Sequence, residues 1–90
     1  MARLVFAEPF FDELAQTSEA VEEEVWRKLA LVRDFPGVGS VLVEPSLRRA
    51  FGGSCLKVVA RGYDVLYERV GEGDDEVVHV LGIVSQRRVR

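Results

Sequence analysis

The sequence predicts an α+β domain in which an N-terminal strand and a two-helix hairpin pack on a twisted antiparallel β-sheet. Three observations predict it. Val21, Val25, Leu29 and Val32 recur at helical spacing, and the stripe stops at Phe35-Pro36-Gly37. Three β-type runs lie between Cys55 and Arg87, separated by short turn signals. A chain of 90 residues supports one core but not a TIM barrel, a full dinucleotide-binding fold or two independent cores, so residues 1–90 read as a single domain.

The elements follow in order. Leu4-Val5-Phe6 is a short apolar strand ending at Glu8-Pro9. Pro9 suits a first helical turn, where its missing N–H costs little. Phe10, Phe11, Leu14 and Ala15 then recur at helical spacing, with Asp12 and Glu13 on the opposite side. Thr17-Ser18 interrupts this helix. The Ser18 hydroxyl can accept an orphan N–H and start a second one. Glu19, Glu22, Glu23 and Glu24 sit near that N-terminus, where the helix dipole favours negative charge. Val38 to Glu44 reads as either a strand or an extended loop, and Ser46 to Phe51 as a helical turn, before Gly52-Gly53.

The second half is β. Cys55 to Arg61 and Tyr63 to Val70 are runs joined tightly at Gly62; Glu72 to Glu76 is a turn, and Val77 to Arg87 is the third run. Alternation puts Tyr63, Val65, Tyr67 and Arg69 on one face and Asp64, Leu66, Glu68 and Val70 on the other. The third run is apolar on both faces through Val84, as expected of a central strand covered on both sides. The helical stripe is expected to face Val65 or Leu66, Val78 and Val80. Val59, Tyr63 or Ile83 is expected to remain as apolar surface that needs a partner.

Composition excludes several classes. Hydrophobic residues make up 48% and charged residues 30%, a globular balance and not a disordered one. Cys55 is the single cysteine, so there is no intramolecular disulfide and no cysteine-built zinc site; as a lone strand cysteine it reads as a small buried hydrophobe. The first apolar run is too short for a signal peptide or a spanning helix, and the expected location is the cytoplasm, away from membranes. No Gly-rich phosphate loop is present, and no cofactor is predicted. His79 is the sole histidine, which excludes a two-histidine relay and reads as a packed or edge imidazole. The net charge of −3 hides an asymmetry: residues 1–44 carry −5 and residues 45–90 carry +2.

The basic residues at strand ends are the chemical signal. Lys57 and Arg61 share one face of the first meander strand. Arg87, Arg88 and Arg90 crowd the end of the last. Convergence of Lys57, Arg61 and a tail arginine would give a cationic patch able to hold a phosphate and to stabilise charge on it during phosphoryl transfer. The alternative is that terminal arginines only keep an edge strand soluble. Arg48, Arg49, Arg88 and Arg90 are the further candidates for nucleic-acid contact.

Three segments in this order resemble the RelE/ParE superfamily of toxins from type II toxin–antitoxin systems. They are Val5-Phe6-Ala7-Glu8-Pro9-Phe10-Phe11-Asp12-Glu13-Leu14, Gly62-Tyr63-Asp64-Val65-Leu66-Tyr67-Glu68, and Glu76-Val77-Val78-His79-Val80-Leu81-Gly82-Ile83-Val84 running into Gln86-Arg87-Arg88. The likeness spans nearly the whole chain and rests on the ordered set. It implies a small cytosolic toxin neutralised by an antitoxin that adds a helix or a strand. RelE-like members cleave mRNA on the ribosome, and ParE-like members inhibit DNA gyrase. In the cleaving branch, basic residues of the meander replace the usual histidine pair; Lys57 and Arg87 match such positions, and Arg61 lies close to another. The chain departs from the pattern at Asp64, where the family usually carries arginine and where a carboxylate would repel a scissile phosphate. It also has no tyrosine after Arg87. The resemblance thus implies a ribosome-dependent endoribonuclease with Lys57, Arg61 and Arg87 as its cations. It leaves open a non-catalytic gyrase inhibitor or a member that only binds its antitoxin.

Overall fold

The computed structural model describes residues 2–88, and Arg90 lies outside them. Strand β1 (Arg3–Phe6) leads into helix α1 (Glu8–Leu14), which carries Pro9 in its first turn. Helix α2 (Glu19–Asp34) starts where expected, with the Ser18 hydroxyl accepting the Val21 N–H at 3.2 Å. A short 3₁₀ turn, Pro36–Val38, ends the hairpin. Helix α3 (Pro45–Phe51) precedes the strands β2 (Leu56–Ala60), β3 (Tyr63–Val70) and β4 (Val77–Ser85). A last 3₁₀ turn spans Gln86–Arg88.

The four strands lie in the order β1-β4-β3-β2. The meander β2-β3-β4 is antiparallel, and β1 joins the edge of β4 in parallel. That makes β4 central among the described strands. The α1–α2 hairpin provides the start of the long crossover that a parallel neighbour requires.

One core lies between the helical hairpin and the sheet. Phe10, Leu14, Val25, Leu29 and Val32 are buried there against Val58, Ala60, Val65, Tyr67, Val78, Val80 and Ile83. Of the two residues expected opposite the helical stripe, Val65 takes the place. Leu66 points to the opposite face. Ile83, expected as uncovered surface, is only 2% exposed; Tyr63 is half-buried, and Val59 remains exposed.

The opposite face has its own cover. Val43, Leu47, Cys55 and Leu66 form a second buried cluster, with Phe51, Leu81 and Val84 packed against it. The ambiguous middle segment is therefore a lid made of a loop and α3, tied to β2 by reciprocal backbone bonds between Ser40 and Lys57. A β-bulge in β4 sets Leu81 and Gly82 opposite Leu66, since the register runs from Leu66↔Gly82 to Tyr67↔Val80. It shifts the alternation so that Val78, Val80 and Ile83 all reach the first core. Gly82 is required there, because a Cβ would come within 2.8 Å of the Phe51 ring. The buried Tyr67 hydroxyl holds the start of the lid. It accepts from the Gly39 N–H at 2.9 Å and donates to the Pro36 carbonyl at 2.7 Å.

Candidate functional site

The site is built where the β2–β3 hairpin meets the end of β4. Ala60 and Tyr63 are paired, which leaves Arg61-Gly62 as a two-residue turn with φ of 47° and 83°. Both values are those of a type I′ turn, whose twist matches the flanking strands. Glycine fills such a position freely, but arginine does not. Arg61 is the one non-glycine residue with positive φ among the described residues. A left-handed residue with a Cβ costs roughly 1–2 kcal/mol. Strain of this kind is worth attention because it concentrates at functional positions.

The turn is fixed to the chain end. The Gln86 N–H donates to the Gly62 carbonyl at 2.9 Å, and the Arg87 N–H donates to the Ser85 hydroxyl at 3.3 Å. These bonds place Arg61 and Arg87 on one open cleft of about 530 Å³, lined also by Gly62, Tyr63, Ser85 and Gln86. Among the described residues, no carboxylate lines it. Two guanidiniums in one concavity, with no side-chain partner among the described residues, are suited to an anionic, bidentate ligand such as a phosphodiester.

Lys57 is placed differently. Its ammonium lies 3.9 Å from Asp64 Oδ2, and Asp64 is only 2% exposed. The other carboxylate oxygen, Oδ1, accepts from Gln86 Nε2 at 2.9 Å. Asp64 therefore does not stand in the cleft as a free repelling charge. It is a buried link that offsets Lys57 and positions Gln86, whose neighbour is Arg87. Of the three expected cations, Arg61 and Arg87 line one cleft, whereas Lys57 is linked through Asp64 to Gln86, the residue before Arg87.

The other expected contacts scatter. Arg48 donates to the carbonyls of Gly53, at 2.5 Å, and of Val41, so it ties the lid together. Arg49 is exposed on α3. Arg88 turns to a second, smaller cleft beside α1, lined by Glu13, Gln16, Thr17, Tyr63, Ile83, Val84, Ser85 and itself. His79 faces Glu68 across the strands, with Nδ1 3.4 Å from Oε1. Cys55 is buried in the second core, as expected of a small hydrophobe.

Glu13 is the residue the sequence reading missed. Helical spacing set it opposite the apolar side of α1, yet it is half-buried. β1 ends at Phe6, so the edge of β4 beyond Val80 has no strand partner there, and Glu13 Oε1 faces the Ile83 N–H at 3.4 Å. Burial pushes its carboxyl above the usual carboxylate range, against the opposing pull of the Ile83 N–H and of Arg88.

No family model and no curated protein matches this sequence. Solved structures do match its fold. E. coli RelE in the intact RelBE toxin–antitoxin complex superposes with a TM-score of 0.71 at 24% identity, covering 94% of this chain and 96% of that one. Isolated E. coli RelE gives 0.73 at 24% identity, over 98% of this chain and 87% of that one. The fold is that of the RelE/ParE toxins. A YoeB/ParE toxin from Agrobacterium tumefaciens, 13% identical, still gives 0.69 over 92% of this chain and 97% of its own. The RelE/ParE fold is thus shared with chains only 13% to 24% identical to this one. Among the described residues, no helix is long and apolar enough to cross a membrane.

Proposed function

We propose that this chain is the toxin of a type II toxin–antitoxin pair and acts in the cytoplasm as a ribosome-dependent endoribonuclease. The observation that carries the reading is the cleft of Arg61 and Arg87, lined by no carboxylate among the described residues, at the sheet end of a RelE/ParE fold. In the reaction, a ribose 2′-hydroxyl gives its proton to solvent and attacks the adjacent phosphorus, a 2′,3′-cyclic phosphate forms, the 5′-oxygen of the next nucleotide leaves and takes a proton from solvent, and negative charge builds on the phosphoryl oxygens on the way. Arg61 and Arg87 bind those oxygens, and their contribution grows as the charge develops. Gln86 keeps Arg87 in place from the Asp64 side. Lys57, offset by Asp64, contributes less than a free lysine would.

An antitoxin partner fits the surface as well. Phe35, Val41 and Leu42 are exposed around the loop after α2, and Leu42 is 79% exposed. E. coli RelE is known in complex with its antitoxin, and a comparable partner would cover such side chains here.

The offset of Lys57 by Asp64 favours a second reading, in which the fold binds DNA gyrase without catalysis or binds only its antitoxin. Expression with and without Arg87→Ala separates the two. The nuclease reading expects growth arrest and cut polysome-associated mRNA, both lost in the variant while antitoxin binding remains. Removing one charge-stabilising donor lowers a rate by about 100- to 1,000-fold. DNA-damage signalling with intact mRNA on ribosomes would move the proposal to gyrase.

A further inference from the structure

The second cleft has no role in the phosphate chemistry just described, yet it adjoins that site. Tyr63 and Ser85 line both clefts. Its volume is about 180 Å³, some six times a water's share of liquid volume, which is room for one planar ring system. Its polar groups are of mixed kind. Glu13 is acceptor-only when ionised and has about four lone-pair positions, one of them facing the Ile83 N–H. The Thr17 hydroxyl spends its hydrogen on the Leu14 carbonyl at 2.7 Å and can only accept. Gln16 and Arg88 supply donors. Tyr63 supplies an aromatic wall.

We infer that this cleft is a nucleobase subsite selective for guanine, occupied by the base next to the phosphate held by Arg61 and Arg87. Single-stranded RNA is recognised by splayed bases stacked on aromatic side chains and hydrogen-bonded on their Watson–Crick edges. Guanine presents two adjacent N–H donors, N1–H and the N2 amino group, which a carboxylate accepts as a pair. Its O6 needs a donor, and Gln16 and Arg88 line the same cleft. Adenine and cytosine offer one amino group beside an acceptor that would face the carboxylate. Uracil offers one N–H flanked by two carbonyls. Each places a lone pair against Glu13, and mismatched polar groups of this kind discriminate strongly in a partly desolvated site. Half-buried Glu13 is held by one long backbone contact and by the attraction of Arg88, which leaves most of its acceptor positions open to a ligand.

The inference deepens the endoribonuclease reading and rests on it, but its test does not require cleavage. The ¹⁵N-labelled full chain is titrated with guanosine, adenosine, cytidine and uridine 3′-monophosphates, and with inorganic phosphate. Guanosine 3′-monophosphate is expected to bind at least tenfold more tightly than the other three and to shift the amides of Gln16, Thr17 and Ile83. Glu13→Gln keeps the shape and an acceptor for Ile83, so it should fold. It should remove at least tenfold of the guanine preference and leave inorganic phosphate binding unchanged. Equal affinity for the four nucleotides overturns the inference, as does a parallel loss of phosphate binding in the variant. Guanine selectivity in a chain that cuts no mRNA sustains the subsite and sinks the nuclease reading; cleavage with no base preference does the reverse.

Discussion

Asp64→Asn isolates the link between Lys57 and the cleft. Asparagine keeps the shape of the side chain and an oxygen to accept from Gln86 Nε2, but it removes the charge that faces Lys57. At 3.9 Å the attraction between the two charges is about 4 kcal/mol for an effective dielectric constant of ~20. The variant also escapes the cost of burying a carboxylate that is 2% exposed, which is itself several kcal/mol. The two largely cancel. The expected net loss is about 1–2 kcal/mol, read by urea unfolding with an unchanged slope. For a domain of this size each kcal/mol lowers Tm by roughly 4–8 °C. Function should move the other way. Lys57 is freed, and one added charge-assisted contact of about 1.5 kcal/mol raises affinity for a phosphodiester about tenfold. Binding of a short RNA carrying a 2′-deoxy block at the cleavage position measures it. Unchanged RNA affinity in the stable, folded variant would refute the idea that Asp64 masks Lys57. Asp64→Arg should instead unfold the chain, since it buries a guanidinium beside Lys57 with no carboxylate partner.

Three further outcomes follow from the packing. Leu29→Ala, at a fully buried position in the first core, should cost about 2–5 kcal/mol in chemical denaturation. Tyr67→Phe removes the hydroxyl that serves both the Gly39 N–H and the Pro36 carbonyl; it should cost roughly 1–3 kcal/mol and speed hydrogen exchange at Gly39. Glu13 should make the folded chain lose stability as pH rises. Its folded pKa lies above the unfolded one, so the native state binds the proton more tightly, and the loss runs from the ordinary glutamate range up through the raised folded value. Glu13→Gln should flatten that limb of the stability–pH curve and be the more stable chain above it.

The hairpin and the meander were legible because each carries a periodic signal: the Val21, Val25, Leu29, Val32 stripe and the alternation from Tyr63 to Tyr67. The lid was not. Val38 to Glu44 has no period, because it is held by the Ser40–Lys57 backbone bonds and by the Tyr67 hydroxyl, which comes from the distant strand β3. The bulge at Leu81-Gly82 was equally hidden, since two successive residues on one face break the alternation that sequence reading relies on. For the site, Arg61 and Arg87 could be named from their places at strand ends, but their approach depends on the Gln86–Gly62 bond. Asp64 read as a repelling charge because sequence does not report burial. Glu13 was set on the solvent side of a short helix, and only the early end of β1 brings it to the open edge of β4.

The Arg61–Arg87 cleft is proposed to cut mRNA on the ribosome. Mapping of mRNA 5′ ends in polysomes, after induction of the wild-type chain and of Arg87→Ala, tests it most directly. New 5′ ends within translated codons are expected in the wild type, with their loss in the variant at equal protein levels. Intact mRNA on ribosomes loaded with the chain, together with stalled gyrase–DNA complexes in the same cells, would contradict it.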